Sequence, residues 1–414
     1  GALLPCFIVV AGSDSPDKRA LAAGNGRVLR ARFEDGAFYF KTDLERTLAS
    51  RIEDEKKVVF YRELGTLWEK TARIDVVTKK LCELLGIDAK APHETAMLCK
   101  ADLTTGVVNE FPELQGVMGR TYAQRDFDRE VALGIDEHYA PRRAGDPLPT
   151  TTSGALVGVV DRIDTIVGIL GIGKAPSGNA ESFALRRAAI AIAHIVMDRA
   201  WRLRLSDVVR AALVAYKVQG KLAKADDAAL IKQVVAFVEG RVRGVLVERC
   251  EARGLQGAAD IVDAAMAARA GVDVLPDVEE NAIALAELRA RDPQAFVALC
   301  KTFKRVGNIL KQARTEGVSV DASTSNEGAL TEPAELDLRR ELGTIRLDEI
   351  ASLDARRRVL QTAAGLKPKV DRFFDDVMVM TDDAALRSAR LGLLAQIEGV
   401  FVDVAAFTKV QVES

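Results

Sequence analysis

Hydrophobic residues recur at intervals of three and four along most of this 414-residue chain, which is the spacing of one face of an α-helix. The periodicity begins near residue 42 and continues with few breaks. Asp292 and Pro293 suit the N-cap and first turn of one such helix. That helix is expected to bury Phe296, Leu299, Cys300, Phe303, Val306 and Leu310.

Residues 1–40 show a different pattern, which favours β-structure. Residues 3–10 form a short apolar, β-branched run that ends at a turn rich in Gly, Ser, Asp and Pro. Residues 33–40 predict a turn followed by an aromatic strand. Because the chain begins with Gly1 and enters directly on a strand pattern, we expect a fragment that lacks its N-terminal portion. Residues 1–44 are then the remnant of an upstream α/β domain.

Composition excludes several classes of protein. A hydrophobic content of 48% with 29% charged residues is ordinary for a globular protein, and the net charge of -2 means that any nucleic-acid contact must come from a local patch. The five cysteines include no CxxC pair, so a zinc knuckle or disulfide framework is not expected, and the thiols are predicted to be buried. The apolar run at residues 2–11 is too short to span a bilayer.

A second face of the helix after Asp292 is basic. Its polar residues recur at intervals of three and four, and they are Lys301, Lys304, Arg305, Asn308 and Lys311. A basic stripe backed by an apolar one is what a helix needs to lie along phosphates. The alternative is an ordinary solvated helix face. A polar stretch at residues 315–333 follows and predicts a surface loop.

The last helix combines a core stripe with two arginines. Thr381 or Asp382 is predicted as its N-cap. Its predicted core residues are Leu386, Leu393, Ile397, Val400 and Val404. Arg387 and Arg390 lie one turn apart off this stripe and are predicted to hold backbone phosphate.

Several long strings resemble, in the same order, segments of the β subunit of bacterial glycyl-tRNA synthetase. They are residues 24–33 (GNGRVLRARF), 110–119 (EFPELQGVMG), 304–310 (KRVGNIL) and 371–394 (DRFFDDVMVMTDDAALRSARLGLL). The resemblance covers essentially the whole chain. It implies a mostly α, multidomain helical protein with a small β remnant at the N-terminus. The domains it implies are an HD-like helical domain at residues 45–200, a helical linker or body domain at 201–275 and a helical anticodon-binding domain at 276–414.

The resemblance also implies a function. The family's β subunit binds tRNA, and a separate α subunit joins glycine to tRNA at the expense of ATP. We therefore expect this chain to bind and position the tRNA for glycine and to recognise its anticodon within a cytoplasmic α2β2 holoenzyme. The holoenzyme would use ATP and Mg, whereas this chain is expected to bind no cofactor, membrane or DNA. The fragment alone is expected to be inactive.

The HD-like domain raises a rival function, a metal-dependent phosphohydrolase acting on a nucleotide. Such sites bind a divalent metal through histidines and aspartates. In the family, Lys-Ala-Asp replaces the His-Asp pair of such hydrolases, and here these residues are Lys100, Ala101 and Asp102. Asp161 corresponds to the remaining acidic ligand. Asp102 and Asp161 are therefore expected to mark a degenerate site. His138 can lie at the surface, but no Ser or Cys pairs with it. A third possibility is a purely structural assembly module.

Overall fold

The computed structural model describes residues 4–12, 17–176, 183–268, 271–320, 327–345, 352–402 and 404–411. These residues contain 17 α-helices and one two-stranded sheet. The prediction of a mostly α-helical protein is therefore confirmed. None of the described helices is long and apolar enough to cross a membrane.

The chain divides into two compact units. Unit 1 comprises Gly1–Gly168 with Ala211–Lys224, and unit 2 comprises Ile169–Arg210 with Ala225–Ser414. Helices α7 (Thr152–Gly171) and α9 (Leu205–Val218) contribute residues to both units. The predicted domain boundaries near residues 44, 200 and 275 stay predictions.

Unit 1 is built mainly from short helices. Besides parts of α7 and α9, its elements are α1 (Lys18–Asp43), β1 (Val59–Tyr61), β2 (Gly65–Thr66), α2 (Leu67–Leu85), α3 (Lys90–Leu98), α4 (Gly106–Glu110), α5 (Val117–Ala123) and α6 (Arg129–Glu137). Three 3₁₀ turns join them at Ala49–Lys57, Ala101–Thr104 and Pro112–Leu114. The antiparallel β1–β2 hairpin leads directly into α2.

Local sequence signals set the bounds of α2. Thr66 and Glu69 form a reciprocal capping box at its start, which satisfies backbone donors that the helix itself leaves free. Gly86 ends the helix in the left-handed conformation, with φ of 66°. The helix packs against α3, and Ile74 and Leu81 on its inner face are completely buried.

The strand predicted within residues 33–40 is wrong, because these residues belong to helix α1. Asp17 caps this helix by accepting a 2.9 Å hydrogen bond from the Ala20 amide. Residues 4–12, the described part of the other predicted strand, also contain no strand. A helix satisfies its own backbone hydrogen bonds, whereas a strand requires a neighbouring strand. Helix α1 packs on α4, and it needs no neighbouring strand to satisfy its backbone.

Unit 2 is a set of longer packed helices. Its elements, besides parts of α7 and α9, are α8 (Leu185–Asp198), α10 (Asp227–Ala252), α11 (Ala259–Met266), α12 (Leu275–Arg291), α13 (Pro293–Thr315), α14 (Pro333–Leu342), α15 (Leu353–Ala364), α16 (Lys367–Asp376) and α17 (Ala384–Phe401). Helix α10 packs on α8, α12 on α15, and α13 on α12, α15, α16 and α17. Helix α13 is therefore central to the last bundle.

The prediction for α13 is confirmed. Asp292 caps it by accepting a 2.9 Å bond from the Ala295 amide, and Pro293 is its first residue. All six predicted apolar positions are buried. The predicted loop begins after Thr315, although its residues 321–326 lie outside the described part of the chain.

The cysteine prediction holds for four of the five thiols. Cys82, Cys99, Cys250 and Cys300 are buried, and Cys6 is exposed. Burial raises the pKa of Cys250 to about 11 and that of Cys300 to about 12, so both remain protonated thiols at neutral pH. These residues act as small apolar core groups.

A buried ion pair joins α14 to α17. Arg390 Nε donates to Glu335 Oε1 at 2.6 Å, and the two residues are 7% and 0% exposed. The other oxygen of Glu335 accepts from the Thr331 and Glu332 amides and so caps α14. Removing one partner of a buried ion pair leaves the other charge desolvated and unpaired.

Arg390→Met is therefore expected to lower the free energy of unfolding by about 3–5 kcal/mol. The matched control is Arg314→Met, because Arg314 pairs with Glu398 at 2.6 Å but its side chain is 50% exposed. That exposed pair should contribute under about 1 kcal/mol. Urea denaturation of both variants measures the difference, and equal losses would contradict the structural role assigned to Arg390.

Candidate functional site

The polar face of α13 lies at the surface of unit 2. Lys301, Arg305, Asn308 and Lys311 are all exposed, and they follow one side of the helix at spacings of three and four residues. We call these four residues the α13 face. The side chains of Lys301, Asn308 and Lys311 make no ion pair or hydrogen bond with other described residues, so these side chains are available to a partner. A row of cations on a rigid helix is a surface suited to a polyanion.

Lys304 differs from the other predicted residues of this helix. It is half-buried, and its ammonium donates to the Val410 carbonyl at 3.1 Å. That bond ties α13 to the chain segment after α17. Lys304 is therefore better placed to hold the fold together than to meet a ligand.

The two arginines predicted on α17 are already engaged. Arg387 donates to the Thr381 carbonyl at 2.8 Å, and Arg390 lies in the buried pair with Glu335. The burial of Arg390 argues against phosphate contact. Neither predicted cap is right, because Asp383 is the N-cap and accepts from the Ala385 and Leu386 amides. A capping carboxylate reaches amides two and three residues ahead of it, and Asp383 is the acidic residue next to the helix.

The core stripe predicted for α17 is partly confirmed. Leu393 and Ile397 are buried in the helix, whereas Leu386 is only half-buried. Val404 is buried but lies beyond the helix end at Phe401. The side chain of Val400 lies outside the described part of the structure.

Asp161, the acidic residue predicted on α7, lies in unit 1 between two lysine ammonium groups. Lys70 Nζ is 2.8 Å from Asp161 Oδ1, and Lys100 Nζ is 2.8 Å from Oδ2. Burial opposes ionisation of the carboxyl, but the charges of Lys100 and Lys70 outweigh it and hold the pKa of Asp161 well below its usual range. The carboxylate is therefore ionised and both oxygens face a cation.

His138 completes this cluster and is completely buried, so its predicted surface position is wrong. Its Nδ1 lies 2.6 Å from the Ile135 carbonyl and donates to it, while Nε2 accepts from Lys100 Nζ at 2.9 Å. Burial and the nearby Lys100 charge lower the pKa of His138 well below its usual value. The imidazole is therefore neutral, because a protonated ring has no lone pair to accept the lysine bond.

A second buried carboxylate extends the cluster. Asp164 bonds Lys70 at 3.0 Å and Arg73 at 2.7 Å, and it accepts from the Tyr216 hydroxyl at 3.1 Å. The Arg73 guanidinium also stacks 3.8 Å from the centre of the Tyr216 ring. The cluster joins α2, α7 and α9 within unit 1 by charge-assisted hydrogen bonds.

Asp102, the other predicted acidic residue, has a different role. Its Oδ2 accepts from the Gly116 and Gly119 amides at 2.6 and 3.1 Å, at the start of α5. Burial raises the pKa of this carboxyl despite those two bonds. Asp102 thus anchors a helix N-terminus, and it shares no hydrogen bond with Asp161 in the described structure.

These residues do not fit a divalent metal ion. Among the described residues, no group of three or more His, Cys, Asp or Glu side chains has the arrangement of a metal site. Two ammonium groups lie 2.8 Å from the oxygens of Asp161, and their charges repel a metal ion. No hydrolytic step through a metal follows from this geometry.

Sequence reasoning missed several members of the buried cluster. Lys70 and Arg73 lie among apolar residues of α2, and a charge on an apolar stripe is the signal that was available. Asp164 follows Asp161 by three residues, so both project from one side of α7. Lys70 and Arg73 are more than 90 residues from Asp164 in the chain, and no local pattern identifies such a pair.

With this geometry in place, comparison with known proteins defines the class. The helical bundle that presents the α13 face matches the family profile described as DALR anticodon binding domain over residues 299–411. The profile described as Glycyl-tRNA synthetase beta subunit matches residues 1–267. The chain belongs to the glycyl-tRNA synthetase β subunit family.

Individual relatives agree with this assignment. The glycine–tRNA ligase β subunit of Anaeromyxobacter dehalogenans (strain 2CP-C) is 40% identical over 419 residues, and that of Myxococcus xanthus (strain DK1622) is 39% identical over 427 residues. The similarity covers 100% of this chain in both cases, but 57% and 58% of the relatives. The chain thus spans somewhat more than half the length of the curated relatives it matches.

The buried carboxyl of Glu55, near the charged cluster of unit 1, predicts how stability depends on pH. Glu55 is 0% exposed, and burial raises its pKa from 4.5 to about 7, against the opposing influence of the Thr71 hydroxyl and Lys100. Between these pH values the folded protein holds a proton that the unfolded chain has released. Stability is therefore expected to fall as pH rises from about 4.5 to about 7, by roughly 3 kcal/mol in total.

Glu55→Gln should remove this dependence, because an amide does not titrate. The variant should match the wild type near pH 4.5 and exceed it by roughly 3 kcal/mol at pH 8 in urea denaturation. Glu53→Gln in the same turn is the control, since that side chain is 72% exposed. A wild-type difference between the two pH values that survives in Glu55→Gln would contradict the assignment.

Proposed function

We propose that this chain is the tRNA-binding part of a glycyl-tRNA synthetase β subunit, and that its last helical bundle recognises the anticodon of the tRNA for glycine. The observation that carries the proposal is the α13 face, a row of exposed polar and cationic side chains within the stretch that matches an anticodon-binding domain. The relatives named glycine–tRNA ligase β subunit support the choice of tRNA.

The physical case rests on charge and rigidity. The chain has a net charge of -2, so non-specific attraction to RNA is weak except where cations gather locally. Lys301, Arg305 and Lys311 provide such a gathering on a helix whose opposite side is fixed by buried residues. Phosphate contacts of this kind set the register of the RNA, and contacts to base edges then select its sequence.

We propose that the contribution of this chain to aminoacylation is positioning. A separate α subunit would bind glycine, ATP and Mg and perform the chemistry, and the two would form an α2β2 holoenzyme in the cytoplasm. This chain would bind no cofactor, DNA or membrane, and alone it would not aminoacylate. Holding the tRNA so that its acceptor end reaches the partner's site converts a bimolecular encounter into an oriented one.

The two rival functions make different demands on the molecule. A nucleotide phosphohydrolase needs a metal or an activated water, and the carboxylate that would serve it is held by Lys70 and Lys100. A purely structural module needs no solvent-exposed cations on α13. The buried cluster is consistent with a scaffold in unit 1, and the α13 face favours RNA contact in unit 2.

The proposal predicts tRNA binding that weakens steeply with salt. Lys301→Gln combined with Lys311→Gln should lower the affinity, and the slope of log K against log salt concentration should become shallower by about 0.7–0.9 for each phosphate that the double variant no longer neutralises. Filter binding to the tRNA for glycine at several salt concentrations measures both quantities. Lys56→Gln with Lys57→Gln is the matched control, because these exposed lysines of unit 1 carry the same charge.

The control should bind like the wild type. A tRNA with an altered anticodon should bind more weakly to the wild type than the tRNA for glycine. Equal slopes for both double variants would remove the α13 face from the interface. Absence of any wild-type binding at low salt would contradict the proposal and favour the structural module.

A further inference from the structure

Arg305, in the middle of the α13 face, lies against an aromatic ring of α16. Its guanidinium carbon is 4.3 Å from the centre of the Phe374 ring. The two nearest carboxylates are more distant than a hydrogen bond allows, at 3.7 Å for Asp371 and 4.0 Å for Asp375. Stacking, together with weak attraction to these carboxylates, therefore sets the position of the guanidinium.

The guanidinium of Arg305 differs from those of Arg372 and Arg314 in the same bundle. Its guanidinium makes no hydrogen bond within the part of the chain that the structure describes. Arg372 on α16 donates to Asp376 and Asp337, and Arg314 makes two bonds to Glu398. Arg305 is thus held against Phe374 while its guanidinium donors make no hydrogen bond to another described residue.

The Phe374 ring, on which Arg305 lies, packs on a buried neighbour. Phe374 packs edge-on against Phe373, with ring centres 5.5 Å apart, and Phe373 is completely buried. The chain after α16 is pinned as well, because Arg390 donates to the Met378 carbonyl at 2.9 Å. The Phe374 ring is therefore supported by a buried neighbour within α16, and the backbone after α16 is held by Arg390.

The exposed side of the Arg305 guanidinium, opposite Phe374, has the chemistry of a base-binding site. The Arg305 side chain is 45% exposed even with one face on Phe374, and Asp375 beside it is 72% exposed. A planar cation on an aromatic ring stacks on the flat face of a nucleobase, and the guanidinium donors and the carboxylate can pair with acceptors and donors on its edge. Lys301 lies one helical turn away and can hold the adjoining phosphate.

We propose that Arg305 and Phe374 form a stacking site for one unpaired nucleobase of a single-stranded RNA loop. This inference rests on the proposed function and specifies which side chains meet an anticodon base. Lysine also binds phosphate, as a point charge, whereas stacking on a flat base uses the planar guanidinium. The two interactions can therefore be separated by a substitution that keeps the charge.

Arg305→Lys is that substitution. It should weaken binding of the tRNA for glycine by about tenfold, because base stacking on a side chain contributes on this scale. The slope against salt should stay unchanged, since the charge is retained. Arg372→Lys, one helix away with its donors already engaged, should change the affinity less than about twofold.

A fluorescent variant tests whether a base stacks at this site by a signal that does not depend on the amount of folded protein lost in other variants. Phe374→Trp keeps a ring beneath Arg305, so it should bind tRNA like the wild type, and its fluorescence should be quenched when tRNA is added. The parent chain, with Trp68 and Trp201 only, is the background for this signal. Quenching that disappears in Phe374→Trp combined with Arg305→Lys supports the site.

The outcomes separate the two proposals. Wild-type affinity in Arg305→Lys, or equal losses in Arg305→Lys and Arg372→Lys, would overturn the stacking site while leaving salt-dependent tRNA binding intact. No binding by the wild-type chain would overturn the proposed function itself. Weaker binding accompanied by a shallower salt slope would mean that the substitution removes phosphate contacts, which contradicts a loss confined to stacking.

Discussion

One buried carboxylate, that of Glu335, holds the functional end of the molecule together. It accepts from Arg390 through one oxygen and from the first amides of α14 through the other, and Arg390 continues to the Met378 carbonyl. A single charge pair thus fixes α14, α17 and the turn after α16. Because such a pair is costly to bury unless every partner is in place, it allows one arrangement of the bundle. Arg305 and Phe374 lie in the same bundle, on α13 and α16.

Unit 1 also contains buried carboxylates that are paired with cations. Its core holds Asp161 and Asp164 against Lys70, Lys100 and Arg73, with the neutral ring of His138 accepting from one lysine. Where a metal-dependent site would leave a coordination position open to solvent, these ammonium groups close it. Both carboxylates are paired with cations of the protein itself, which makes the cluster a structural element. In unit 2, by contrast, the side chains of Lys301, Arg305 and Lys311 are exposed on α13 and make no hydrogen bond to another described residue, and the proposed binding surface lies there.

The sequence was informative where local chemistry decides the structure. Asp292, Pro293 and an apolar stripe define α13, because capping and periodicity act within a few residues. It was misleading for α1, where apolar runs suggested strands that have no partner strand. It was silent on the pairing of Arg390 with Glu335 and on the stack of Arg305 upon Phe374, since these pairs join residues 55 and 69 positions apart. Exposure also separated Lys301 and Lys311 from Lys304, which periodicity alone had grouped together.

The central claim is that the last bundle of this chain contacts the anticodon loop of a tRNA. Hydroxyl-radical footprinting of the tRNA for glycine, bound to the full 414-residue chain, tests it most directly. The account predicts protection of the anticodon loop and of the phosphates beside it, and this protection should weaken as salt is raised. Protection confined to the acceptor stem, with an anticodon loop cleaved as in free tRNA, would contradict it.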